Sequence, residues 1–86
     1  MFVILVYDIN QKRVSKVMKT CRKYLVHVQK SVFEGRITEA SLKRLKAELR
    51  HIVKVEEDAV CIYCMDSLKY TWKDCIGVQE NLSNII

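Results

Sequence analysis

Eighty-six residues, half of them apolar, with no proline and only two glycines, describe a single folded domain over residues 1–86 and exclude a disordered chain or modules strung on flexible linkers. At this length a chain buries only about 60 to 65% of its extended surface, so a second subunit would supply stability that a lone domain lacks. The formal charge of +5 favours a polyanionic partner, and where that charge lies decides more than its total.

The first run, Phe2 to Ile9, is short, apolar and rich in valine and isoleucine, which predicts a buried strand. It is too short for a membrane span and lacks the basic flank and cleavage site of a signal peptide, so the expectation is a cytoplasmic protein with no membrane association. Strand alternation puts Phe2, Ile4, Val6 and Asp8 on one face and Val3, Leu5 and Tyr7 on the other, leaving both faces apolar. From Gln11 to Tyr24 the period becomes helical. Val14, Val17, Met18 and Cys21 form one stripe, surrounded by Lys12, Arg13, Lys16, Lys19, Arg22 and Lys23.

Leu25 to Glu34 is β-branched and aromatic enough for strand, without a clear point of division, and Gly35 suits a turn or a bulge. Thr38 is placed to cap a second helix in which Leu42, Leu45, Leu49 and Ile52 recur at helical spacing to about Val53. An acidic turn then precedes Ala59 to Met65, a strand with two apolar faces. A further strand is expected near Tyr70 to Ile76, and residues 81–86, "NLSNII", could add a short terminal one. This order predicts an α+β domain, a ferredoxin-like βαββαβ sandwich with an additional C-terminal strand and both helices on one side of an antiparallel sheet. Two helices cover one face only, so the other is expected to meet a second copy in a two-fold homodimer.

"VYDI" near the start, "RV" in a basic helix, then "HVQKSVFEG", "EEDAVCIY" and "CIGVQEN" together resemble the CRISPR-associated protein two family over nearly the whole chain. The resemblance implies a homodimer that joins the integrase, CRISPR-associated protein one, in capturing foreign DNA, with the segment from about residue 78 exchanged with a partner. It also implies a metal-dependent nuclease on RNA or DNA in which Asp8 is the metal ligand and catalytic carboxylate. The family often has arginine where this chain has His27.

Magnesium is commonly held by one or two carboxylates, water and substrate phosphate, so one Asp8 per chain would be joined by its counterpart in a dimer. The competing reading is an aspartate that ends a strand and caps the next helix. The basic helix likewise reads either as a solvated face or as a phosphate-binding surface formed by Lys12, Arg13, Lys16 and Lys19, which Lys30 and Arg36 would extend. No acid lies between Asp8 and Glu34 to balance it.

Cys61 and Cys64 have zinc-like spacing, but in a strand an odd separation sends them to opposite faces, and reduced, buried thiols are expected for all four cysteines. Tyr7, Phe33 and Trp72 read as core or interface, and His27 and His51 as partly exposed structural residues. Three functional classes follow: a phosphodiesterase that uses paired Asp8 with magnesium or another divalent cation, a non-catalytic DNA-binding adaptor in spacer acquisition, and a toxin-like RNA interferase of the same fold.

Overall fold

The computed structural model describes residues 1–67 and 70–78. In chain order the elements are β1 (Phe2–Asp8), α1 (Gln11–Arg22), β2 (Val26–Gln29), β3 (Val32–Arg36), α2 (Glu39–Ile52), β4 (Ala59–Ser67) and β5 (Tyr70–Gly77). The strands form one antiparallel sheet in the order β2-β3-β1-β4-β5, so the first four carry the ferredoxin-like arrangement and β5 is the additional strand, laid beside β4. The terminal segment, residues 81–86, and the exchange expected from about residue 78 fall outside the described residues apart from Val78. Among the described residues no helix is long and apolar enough to cross a membrane.

Both helices pack on one face. Val3, Leu5 and Tyr7 from β1 meet Val17 and Cys21 from α1, Leu42, Leu45 and Leu49 from α2, and Val60, Ile62 and Cys64 from β4 in the main core. Phe33 joins them, its ring 6.1 Å from that of Tyr7, and Trp72 packs at the margin. Thr38 caps α2 as expected, its hydroxyl oxygen accepting from the Ser41 amide at 3.1 Å. Helix α1 stops two residues earlier than the periodicity predicts, at Arg22, where the chain turns into β2.

The undivided segment resolves into a hairpin. Gln29 pairs with Val32, and the chain reverses through Lys30 and Ser31, the latter with φ 64°. Gly35 is neither a turn nor a bulge in the β1–β3 ladder. It lies within β3 opposite Val3, and a Cβ there would touch Leu25 at ordinary contact distance, though its φ of +155° favours glycine. Gly77 is a stricter requirement. Its φ is +91°, and a Cβ would lie 1.8 Å from the Asp58 carbonyl oxygen, so only glycine lets the end of β5 close over the start of β4.

The cysteines require a correction. Cys61 and Cys75 stand directly opposite each other on β4 and β5 and are joined as a disulfide, with Cα atoms 4.1 Å apart. Facing positions of an antiparallel pair project to the same side of the sheet, which brings two sulfurs together without moving the backbone. Cys64 does project to the opposite, helix-covered face, where it and Cys21 remain free and buried. Burial pushes the Cys21 thiol up to about 12, which makes it a poor nucleophile.

The helix-free face carries a much smaller cluster. Val6, Ala59 and Cys61 are buried there, while Ile4, Val32, Tyr63 and Cys75 around them are only partly covered. Val26 on the edge strand is 64% exposed.

Candidate functional site

Asp8 is the last residue of β1, opposite Ala59 of β4, and alternation places it in the helix-free row with Ile4 and Val6. It is half-buried and makes no hydrogen bond or ion pair among the described residues. It does not cap α1. Asn10 does, its side-chain oxygen accepting from the Lys12 amide at 2.9 Å. A partly desolvated carboxylate with no partner carries an uncompensated cost, the condition in which a cation or a substrate group binds to advantage.

Asp8 also borders a groove of about 360 Å³ between the end of β1, the start of α1 and the β2–β3 turn, with Gln11, His27, Lys30 and Ser31 among its walls. The turn is held there by the Tyr7 amide, which donates to the Ser31 carbonyl at 3.1 Å. His27 is stacked on Phe33 with ring centroids 4.7 Å apart. Lys30 is thus brought to the Asp8 groove. Arg36 is not, because it pairs with Phe2 at the other end of β1, roughly 20 Å from Asp8 at about 3.3 Å per strand residue.

The helix lysines divide in the same way. Lys16 and Lys19 are exposed and, with Thr20, Lys23 and Ile52, line a second groove of about 430 Å³ beside α2. Lys23 is paired with Glu48, so the helix that lacks acids in sequence acquires one in space. Lys12 is exposed at the first turn. Arg13 belongs to neither surface. Its Nε and a terminal guanidinium nitrogen donate to the two oxygens of Asp58 at 2.6 and 3.0 Å, and Glu57 lies 3.5 Å away. A guanidinium held this way is committed first to Asp58 and Glu57, with fewer donors free for a phosphate than the exposed lysines have.

Asp58 is the residue that the sequence pattern does not reveal. Its side chain is completely buried and accepts from Arg13, from the Asn10 amide at 2.9 Å and from the Lys54 amide at 2.9 Å. Burial pushes its carboxyl up, but the Arg13 guanidinium and the two amides outweigh burial and hold it at about 2.

Among the described residues no three histidine, cysteine, aspartate or glutamate side chains converge on one point. Among the described residues Asp8 therefore stands without a second carboxylate, histidine or cysteine pair to complete a metal-ligating group.

Residues 1–71 match the family model described as CRISPR associated protein Cas2. The chain belongs to the Cas2 family. It is 48% identical over 81 residues to the CRISPR-associated endoribonuclease Cas2 of Dictyoglomus turgidum, covering 94% of this chain and 93% of that one. Against the protein of the same name from Thermotoga maritima it is 42% identical over 86 residues, covering 100% and 99%. Among solved structures, one described as the crystal structure of Cas2 aligns with a TM-score of 0.75 at 44% identity over 81% of this chain and 79% of that one. Streptococcus pyogenes Cas2 aligns with a TM-score of 0.58 at 26% identity over 100% and 95%. A CRISPR-associated function follows for this Cas2 chain, with relatives named as endoribonucleases.

Proposed function

We propose that the chain is a divalent-metal-dependent phosphodiesterase that cleaves RNA as a two-fold homodimer, and that the same dimer binds duplex DNA beside the integrase during spacer acquisition. The observation that carries this reading is Asp8, a half-buried carboxylate that among the described residues has no partner and stands at the end of a sheet face those residues leave incompletely covered. Pairing two copies across that face would complete the burial of Ile4, Val32 and Tyr63 and add a second Asp8 to the first. The names of the relatives support RNA as substrate.

When bound, magnesium would supply charge stabilisation at the phosphate and a more acidic water. The residues of the chain do the rest. Asp8 holds the ion. Lys30, at the wall of the same groove, places a positive charge where a substrate phosphate would enter, and the stacked His27–Phe33 pair gives that wall a firm apolar base.

The adaptor role rests on a separate observation, the exposed Lys16 and Lys19 in the groove beside α2, away from the Asp8 row. Asp8→Asn keeps the size of the side chain and removes the charge. The variant is expected to lose magnesium-dependent cleavage of RNA, to remain a dimer, and to support integration with the partner integrase. Full cleavage by this variant overturns the metal-ligand reading, whereas lost integration by an intact dimer overturns the adaptor reading.

A further inference from the structure

We propose that Asp58 is the positioning residue for Asp8: its buried carboxylate ties the β1–α1 connection to the start of β4 and so sets where the Asp8 carboxylate stands. The inference rests on the reading that Asp8 holds a divalent ion. Among the described residues Asp8 has no side-chain partner, so its direction is inherited from the backbone on either side of it. Asp58 controls that backbone twice. Its neighbour Ala59 is the register partner of Asp8 across β1 and β4, and its Oδ1 accepts from the amide of Asn10, with only Ile9 between Asn10 and Asp8.

Asp58 is itself held from every side. Arg13 reaches it from α1 with two nitrogens, and Lys54 donates its amide from the turn after α2. The amide of Val78 donates to the Asp58 carbonyl at 3.0 Å, an approach that the missing side chain of Gly77 allows. Four segments therefore converge on one residue next to the site, and none of its hydrogen bonds touches the groove. The arrangement matches what metal sites require beyond their ligands: a rigid outer set that orients a ligand group without contacting the ion.

The test uses the full chain. Asp58→Asn places an amide group against donors from Asn10, Arg13 and Lys54, while Arg13→Lys keeps the charge but loses the two-nitrogen grip. The probe is Mn²⁺, its binding followed by electron paramagnetic resonance well below the melting temperature, with magnesium dependence of cleavage, dimer mass and thermal unfolding measured on the same preparations. Arg13→Lys is expected to stay folded and dimeric while its Mn²⁺ affinity falls roughly 10- to 100-fold, with the half-saturating magnesium concentration rising in parallel. Asp58→Asn should move both further, and if it fails to fold, Arg13→Lys decides. Parent-like Mn²⁺ affinity in the folded variants, with binding lost in Asp8→Asn, overturns the positioning role and leaves Asp58 a stability residue. Parent-like binding and cleavage in Asp8→Asn itself overturns the reading on which the inference rests.

Discussion

The two sides of β1 are finished to different degrees. Val3 and Leu5, facing the helices, have no exposed surface, whereas Phe2 and Ile4, facing away from them, keep part of theirs. Two amphipathic helices contribute Val17, Cys21, Leu42, Leu45 and Leu49 to the first side, and among the described residues no helix packs on the second. The difference teaches where a small chain spends its apolar residues. The helix-covered side holds the main core, and the other carries a small, partly covered apolar cluster with Asp8 at the end of its row.

Single substitutions on adjacent residues should expose this asymmetry most strongly. Leu5→Ala opens a cavity in the closed core and is expected to cost about 3 kcal/mol in urea unfolding, within the usual range for such truncations. Ile4→Glu should leave the chain folded but convert the dimer to monomer in sedimentation. Equal loss of stability from the two, or an unchanged dimer with Ile4→Glu, would break the comparison.

The disulfide sharpens it, because the helix-free side carries the one covalent link among the described residues. Cys61 and Cys75 are separated by 14 residues, and Cys75→Ser should destabilise the oxidised chain by about 3 kcal/mol, seen as a lower urea midpoint. The same variant should have no effect once both proteins are reduced.

At the end where the two sides meet, Asp58 makes stability depend on acid. Its folded value of about 2 lies below the ordinary 3.8, so its contribution is fully present above pH 4 and is lost as pH falls through about 2. A depression of this size is worth about 2 kcal/mol. Urea midpoints taken between pH 5 and pH 2 should fall for the parent and change less for Asp58→Asn.

The smallest effect concerns the outer surface of the helices. If Lys16 meets a phosphate, Lys16→Gln should reduce the slope of duplex affinity against salt by roughly 0.9 log units per decade. An unchanged slope would return α1 to an ordinary solvated surface.

What the sequence discloses follows physical range. The division of β1 into two rows, the leucine stripe of α2 and the Thr38 cap depend on neighbours within a few residues, and all three were legible. The β2–β3 hairpin was not, because Lys30 and Ser31 reverse the chain without the glycine or asparagine that marks such turns, while Gly35 signals one where a strand runs straight on. Arg13 and Asp58 are 45 residues apart, so a helix free of acids along the chain hides a carboxylate that occupies one of its cations. The Cys61–Cys75 link depends on the register of β4 against β5, which no local pattern encodes. Asp8 was legible as a misplaced charge at a strand end, but its lack of a partner among the described residues became visible only in three dimensions.

In the proposed dimer the helix-free face joins two chains and brings two Asp8 carboxylates into one site. Counting tightly bound Mn²⁺ per chain on the purified dimer, with Asp8→Asn alongside, tests it directly. One ion for every two chains is expected, absent from the variant. One ion in every chain, or binding that survives Asp8→Asn, would contradict it.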